Sequence, residues 1–128
     1  GLKNVRLHAD DARDVMTALP DASLDRVMIL FPDPWHKARH NKRRLLQDET
    51  AQAFARILKP GGTLRFVTDW LDYAEWALER LNRTPGLERI GAAGQDWFVP
   101  PADHVVTRYE EKKLGDTTPV FLEYRRVD

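Results

Sequence analysis

The chain has 128 residues, room for one modest domain around a single core. Apolar residues make up 42% and charged residues 31%, which excludes a disordered chain. With 20 cations against 20 acids the net charge is zero, which by itself argues against a polyanionic partner.

Val5-Arg6-Leu7-His8 alternates apolar and polar residues and predicts a short strand ending at Asp10-Asp11. Ala12 to Leu19 sets Val15, Met16 and Leu19 at helical spacing, and Pro20-Asp21 closes that helix. Leu24 to Phe31 is mostly continuous apolar, the pattern of a strand covered on both faces. Leu46, Thr50, Ala53, Phe54, Ile57 and Leu58 form the stripe of an amphipathic helix, broken by Lys59-Pro60-Gly61-Gly62. Thr63 to Thr68 resumes as a buried strand. Asp72 to Asn82 is a further helix with Ala74, Ala77, Leu78 and Leu81 inward, ended by Arg83-Thr84-Pro85-Gly86. Leu87 to Ile90 reads as an edge strand, Gly91 to Asp103 as a loop, and Val120 to Arg125 as a last strand. Alternating strands and helices predict an α/β layer with a largely parallel sheet, and no repeat or linker divides residues 1–128.

The chain has no cysteine, so neither disulfides nor a thiolate metal site are expected, and its histidines show no metal-ligand spacing. No apolar run reaches the length of a membrane span, and cytoplasm is the expected compartment.

The charge is unevenly spread. Asp10 to Asp25 is mostly acidic, whereas Lys37 to Arg44 carries five cations and no acid. Local potential steers a polyanion more than the total does. Arg39, Lys42, Arg43 and Arg44 fit an ordinary solvated helix start. Cations there oppose the helix dipole, however, and a phosphate-bearing ligand would offset that cost. His36 and His40 can add to phosphate contact, and Trp35 can stack on a base. Trp70, Trp76 and Trp97 read as packing residues.

Just before the basic run, Asp33 stands between Pro32 and Pro34, which fix their own φ and keep Asp33 out of the helical region. Asp10 or Asp11, Asp33 and Asp69 all fall at predicted strand ends, where open α/β sheets place their ligands. Asp11 also suits a helix cap at Ala12, and Asp69 a cap near Asp72. Asp33 has no such structural explanation. Thr107, with Glu110 three residues on, matches a capping box, and a helix start also suits an anionic ligand.

The run Phe31 to Arg44, FPDPWHKARHNKRR, resembles the signature of the bacterial tRNA (guanine-N7)-methyltransferases. The similarity continues through Gly61-Gly62, Thr68-Asp69 and Thr107-Arg108-Tyr109-Glu110 and so spans nearly the whole chain. The resemblance implies S-adenosyl-L-methionine as cofactor and methylation of a guanine in the variable loop of tRNA. It implies that Asp33 is catalytic and touches the cofactor. Asp11, whose Asp11-Ala12 dipeptide matches the family better than Asp10, is implied to lie near the adenine. Lys37, Asp69, Thr107, Arg108, Tyr109 and Glu110 are implied to hold the substrate, with Arg39, His40, Asn41, Lys42, Arg43 and Arg44 against the tRNA.

In that family a Rossmann-like sheet opens with a strand and a glycine-rich turn. No such turn stands here: Gly61-Gly62 lies at a helix end, and Gly91-Ala92-Ala93-Gly94 follows no strong strand. The resemblance therefore implies an incomplete sheet with its first two strands absent and a gap between the strands at Val5 and Leu24. A single partial domain is expected: a fragment, a truncated product, or a chain completed by a partner or a second copy. Two rival readings follow. One is a catalytically silent RNA-binding module. The other is an amine-directed methyltransferase, whose Asp-Pro-Pro-aromatic turn the Pro32-Asp33-Pro34-Trp35 order fits less well.

Overall fold

The computed structural model describes residues 3–90 and 97–128. Helix α1 (Ala12–Ala18) starts where the Asp11 carboxylate accepts the Arg13 amide at 2.9 Å. Strand β1 (Leu24–Leu30) follows, and a 3-10 helix (Ala38–Arg43) then carries the basic run. Helix α2 (Asp48–Ile57) begins with the Gln47 amide donating to the Thr50 hydroxyl at 2.8 Å, and passes directly into strand β2 (Leu58–Thr68). That abrupt switch uses Gly61, at φ +84°, and Gly62, where a Cβ would meet the Lys59 carbonyl at 2.8 Å. Helix α3 (Leu71–Asn82), strand β3 (Leu87–Arg89), the one-turn helix α4 (Arg108–Glu111) and strand β4 (Val120–Arg126) complete the described elements.

The sheet order is β1-β2-β4-β3. β1 and β2 are parallel, whereas β4 is antiparallel to both of its neighbours. Three strands therefore share one direction and the last strand is threaded in reverse between two of them. The expected largely parallel sheet holds for strand direction, but only one adjacent pair is parallel. The central place of β4 explains why Val120, Phe121, Leu122 and Tyr124 are all buried.

Two expectations need correction. Val5–His8 forms no strand: none of the four strands pairs with it, and Leu7 is 95% exposed. An alternating pattern without a neighbour's amides has no ladder to join. The sheet accordingly has no internal gap; instead, among the described residues, nothing pairs with the outer edge of β1. β1 is also not covered on both faces, since Ile29 is buried while Met28 and Leu30 stand exposed. The Gly91–Gly94 stretch lies outside the described residues, as does that part of the loop expected from Gly91 to Asp103.

The core lies between the sheet and helices α2 and α3. Phe54 and Ile57 from α2 meet Leu64 and Phe66 from β2, and Tyr73, Ala77 and Leu81 from α3. Phe66 and Tyr73 pack edge to face at 5.1 Å. Each large side chain fully removed from water contributes roughly 1.5–3 kcal/mol. Arg65 is buried on β2 and held by Glu123 (2.9 Å) and Asp103 (2.7 Å), and the two arginines on Asp103, Arg65 first and then Arg26, hold its carboxyl down at about 2.

Tyr124 on β4 donates its hydroxyl to Asn82 at 2.5 Å, and burial pushes its phenol up to about 12 from 10.0. Between those values the unfolded chain has lost the proton and the folded chain keeps it, so stability falls as pH rises from 10.0 towards about 12. Urea unfolding across that range should show a steeper loss for the native chain than for Tyr124→Phe. Equal slopes would remove Tyr124 from the alkaline limb.

Candidate active site and nucleic-acid interface

The site is assembled at the end of β1. Phe31 still donates its amide to Val67 of β2 at 2.8 Å, extending the parallel ladder by one residue. The backbone then turns sharply: Phe31 has φ +51° and Trp35 φ +41°, left-handed values that cost a non-glycine residue roughly 1–2 kcal/mol each. The prolines stiffen the interval between them. This pair of strained residues flanks Pro32-Asp33-Pro34 and points to a corner kept for its geometry.

Contacts on every side hold the corner. Phe31 packs on the Tyr109 ring at 4.9 Å, and the Arg43 guanidinium covers the Trp35 ring at 5.1 Å. The Asn41 amide, with its nitrogen facing the loop, donates to the carbonyls of Trp35 (2.8 Å) and Lys37 (3.1 Å). Most directly, Arg44 donates through Nε to the Pro34 carbonyl at 2.6 Å. Asp33 itself is exposed and stands at the crest between two clefts. One, of about 260 Å³, is bordered by Asp11, Arg13, Pro32, Arg43 and Leu45. The other, of about 420 Å³, is bordered by Trp35, His36, Lys37, His40 and Trp70.

Arg44 corrects the sequence reading. Its place in the basic run predicts a tRNA-facing cation, but it is 1% exposed. Its guanidinium lies against Tyr73 (4.7 Å) and Trp76 (5.0 Å) and bonds Asp72 at 2.9 Å. Arg39, Lys42 and Arg43 remain exposed beside Lys37, so the basic surface survives without Arg44. The cations also do not open helix α2. They occupy the separate 3-10 helix, whose turn releases them from the dipole conflict expected at an α-helix start.

Asp69, directly after β2, is 3% exposed. One carboxylate oxygen accepts the Gly115 amide at 3.2 Å, its carbonyl accepts Thr117 at 3.1 Å, and Oδ1 is buried with no partner. Burial pushes its pKa up, offset in part by backbone amides, Gly115 among them. Asp116 meanwhile accepts the Leu71 amide at 2.9 Å at the start of α3. The cap anticipated from Asp69 is thus supplied by Asp116. Sequence reasoning does not single out the loop Gly115–Thr117, although its Gly-Asp-Thr composition is a turn signal. A Cβ at Gly115 would sit 2.0 Å from the Asp69 carbonyl oxygen, so only glycine fits there.

The Thr107 hydroxyl accepts the Glu110 amide at 3.2 Å and caps α4. Glu110 does not complete a capping box with its side chain. It pairs with His104 at 2.8 Å, which leaves it less free for a ligand than expected. Burial raises the Tyr109 phenol first, then the carboxylates of Asp69 and Asp33. Asp11 sits at the edge of the smaller cleft and is engaged by Arg13 at 3.3 Å. Trp70, read as packing, is only partly buried, and its ring stacks on His36 at 5.1 Å with planes 2° apart. Among the described residues, no helix is long and apolar enough to cross a membrane.

The residues of the smaller cleft fit part of a sulfonium nucleoside. An apolar wall from Ala12, Pro32 and Leu45 suits an adenine face, and the exposed carboxylates of Asp11 and Asp33 suit a hydroxyl and a cation.

Known proteins resemble the chain in sequence and in fold. The family model described as "Putative methyltransferase" matches residues 1–122. The tRNA (guanine-N(7)-)-methyltransferase of Caulobacter vibrioides (strain NA1000 / CB15N) is 62% identical over 98% of the chain and 55% of its own length. That of Hyphomonas neptunium is 47% identical over 97% of the chain and 57% of its own length. The chain thus spans about half the length of the curated relatives it matches. A "Putative DNA Modification Methylase" from Thermus thermophilus, solved with S-adenosyl-L-methionine, aligns at TM-score 0.58 and 19% identity over 96% of this chain and 54% of that one. At that identity the likeness concerns the fold, an α/β methyltransferase sheet present here in part.

Because the folded pKa of Asp69 is raised, its burial carries no penalty below pH 3.8, and stability falls as pH rises from there through the folded value. Asp69→Asn should therefore unfold at higher urea concentration than the native chain at pH 7 and at nearly the same concentration at pH 3. A less stable variant at pH 7 would contradict the desolvation argument.

Proposed function

The chain belongs to this methyltransferase family, and on that premise we propose that it serves S-adenosylmethionine-dependent methylation of guanine N7 in the variable loop of tRNA, in the cytoplasm. The observation that carries the proposal is the placing of Asp33, aimed outward by a strained corner between a cleft that suits the cofactor and a cleft lined by Lys37 and aromatic rings. When bound, S-adenosylmethionine supplies an electrophilic methyl group on a sulfonium.

Guanine N7 carries a lone pair and no proton, so the reaction needs no general base. Positioning does much of the work. The purine gains positive charge as the methyl arrives, and the Asp33 carboxylate supports that charge from a fixed position with little reorganisation. Asp69 borders a third cleft, of about 480 Å³, with Glu110, and its carboxylate accepts the hydrogens on the N1 and N2 edge, which distinguishes guanine from adenine. Tyr109, whose ring packs on Phe31 at 4.9 Å, holds the substrate together with Thr107, Arg108 and Glu110. Lys37, Arg39, His40, Asn41, Lys42 and Arg43 face the sugar-phosphate chain, Asn41 chiefly by shaping the loop. Asp11 holds the cofactor's adenine end.

Two experiments test this reading. Given labelled S-adenosylmethionine and tRNA, the protein should yield 7-methylguanosine, and Asp33→Asn should lose at least a hundredfold in turnover with tRNA affinity unchanged. Methyl found on an exocyclic nitrogen would establish amine-directed chemistry, and tRNA binding with no transfer would establish the silent module. Replacing Arg39, Lys42 and Arg43 by glutamine should flatten the dependence of log affinity on log salt by about 0.7–0.9 per lost phosphate contact. An unchanged slope would make the basic run an ordinary surface.

A further inference from the structure

We infer that the ring face of Trp70 is a stacking platform for an unstacked nucleobase of the RNA, and that His36 occupies it until that base arrives. This rests on the RNA reading above. The two rings are parallel within 2°, with centroids 5.1 Å apart, the arrangement a base adopts on an aromatic side chain. Their environments differ. Trp70 is partly buried and packs against the core, whereas His36 is exposed. The imidazole is thus the replaceable member of the pair.

The platform is fixed from behind. The Trp70 amide donates to Thr68 Oγ1 at 3.2 Å, the preceding Asp69 is gripped by Gly115 and Thr117, and the following Leu71 amide is held by Asp116. Presenting its ring therefore costs little ordering entropy at the moment of binding. A tryptophan serving only the core would hide both faces. This one borders a cleft of about 420 Å³ that Asp33 and Lys37 also line. That volume takes a nucleotide, with Lys37 placed for its phosphate. A purine covers more of an indole than an imidazole does, so the exchange gains stacking area and returns His36 to water.

The test is a titration of the 128-residue chain with tRNA, followed by tryptophan emission and by direct affinity measurement. Saturable quenching is expected for the native chain and should be largely lost in Trp70→Phe. Affinity should fall in the order Trp, Phe, Ala at position 70, by about tenfold for Trp70→Ala. His36→Ala, at an exposed position where folding is not at risk, should lose far less affinity than Trp70→Ala and keep the saturable quenching. Unchanged affinity and quenching in both Trp70 variants would overturn the inference while leaving the methyltransferase reading intact. So would His36→Ala weakened as much as Trp70→Ala. No tRNA binding by the native chain would overturn both.

Discussion

The guanidinium of Arg44 ties together the parts of the molecule that must keep a fixed spacing. It reaches the Pro34 carbonyl on the loop that carries Asp33, and Asp72 on the first turn of α3, two residues beyond the Trp70 platform. The rings of Tyr73 and Trp76 lie 4.7 and 5.0 Å from it, and the Arg44 carbonyl receives the Arg13 guanidinium of α1 at 3.1 Å. A buried cation is tolerable only when its donors are met, and removing its partners typically costs about 3–5 kcal/mol. That penalty makes the arrangement close to all-or-none. Arginine suits the place because its planar fork serves a carbonyl, a carboxylate and two rings at once, which an ammonium cannot.

The region around that link carries unfavourable terms that the rest of the fold sustains. Phe31 and Trp35 sit in left-handed backbone, and Asp69 is buried with one oxygen unpartnered. Helices α2 and α3 and the central strands β2 and β4 bury a continuous apolar core, which offsets these costs. The compensation is spatially separate. Core residues fill the space between the sheet and one helical layer, while the strained and charged groups gather at the carboxyl ends of β1 and β2. Ligands in open α/β sheets lie in that place because the strand ends leave loops free to vary.

Acids and cations are segregated across this rim. Asp33 and Asp69 follow strands β1 and β2 and Asp11 caps the start of α1, where positive charge would develop on a reacting purine, and the 3-10 helix carries the exposed cations. The zero net charge of the whole chain conceals these two opposed local fields. A balanced chain can thus present a strongly basic surface to a polyanion, since salt screens the distant acids over about 10 Å and leaves the near cations effective.

Helical spacing located α1, α2 and α3, and apolar runs located β2 and the last strand, because both patterns report which residues leave water. The two prolines around Asp33 likewise declared a rigid corner, since their effect on φ is local. The strand expected at Val5–His8 failed because alternation records a tendency and a ladder needs a neighbour. Arg43 and Arg44 are adjacent and chemically identical, yet one covers Trp35 at the surface and the other lies within the core. Nothing in their order separates them; the turn of the 3-10 helix and the hollow between Tyr73 and Trp76 do. The same holds for the open face of Trp70, the unpartnered oxygen of Asp69 and the reversed central place of β4. Each is fixed by residues distant in the chain, and contacts of that kind exist only once the sheet and its helices have packed.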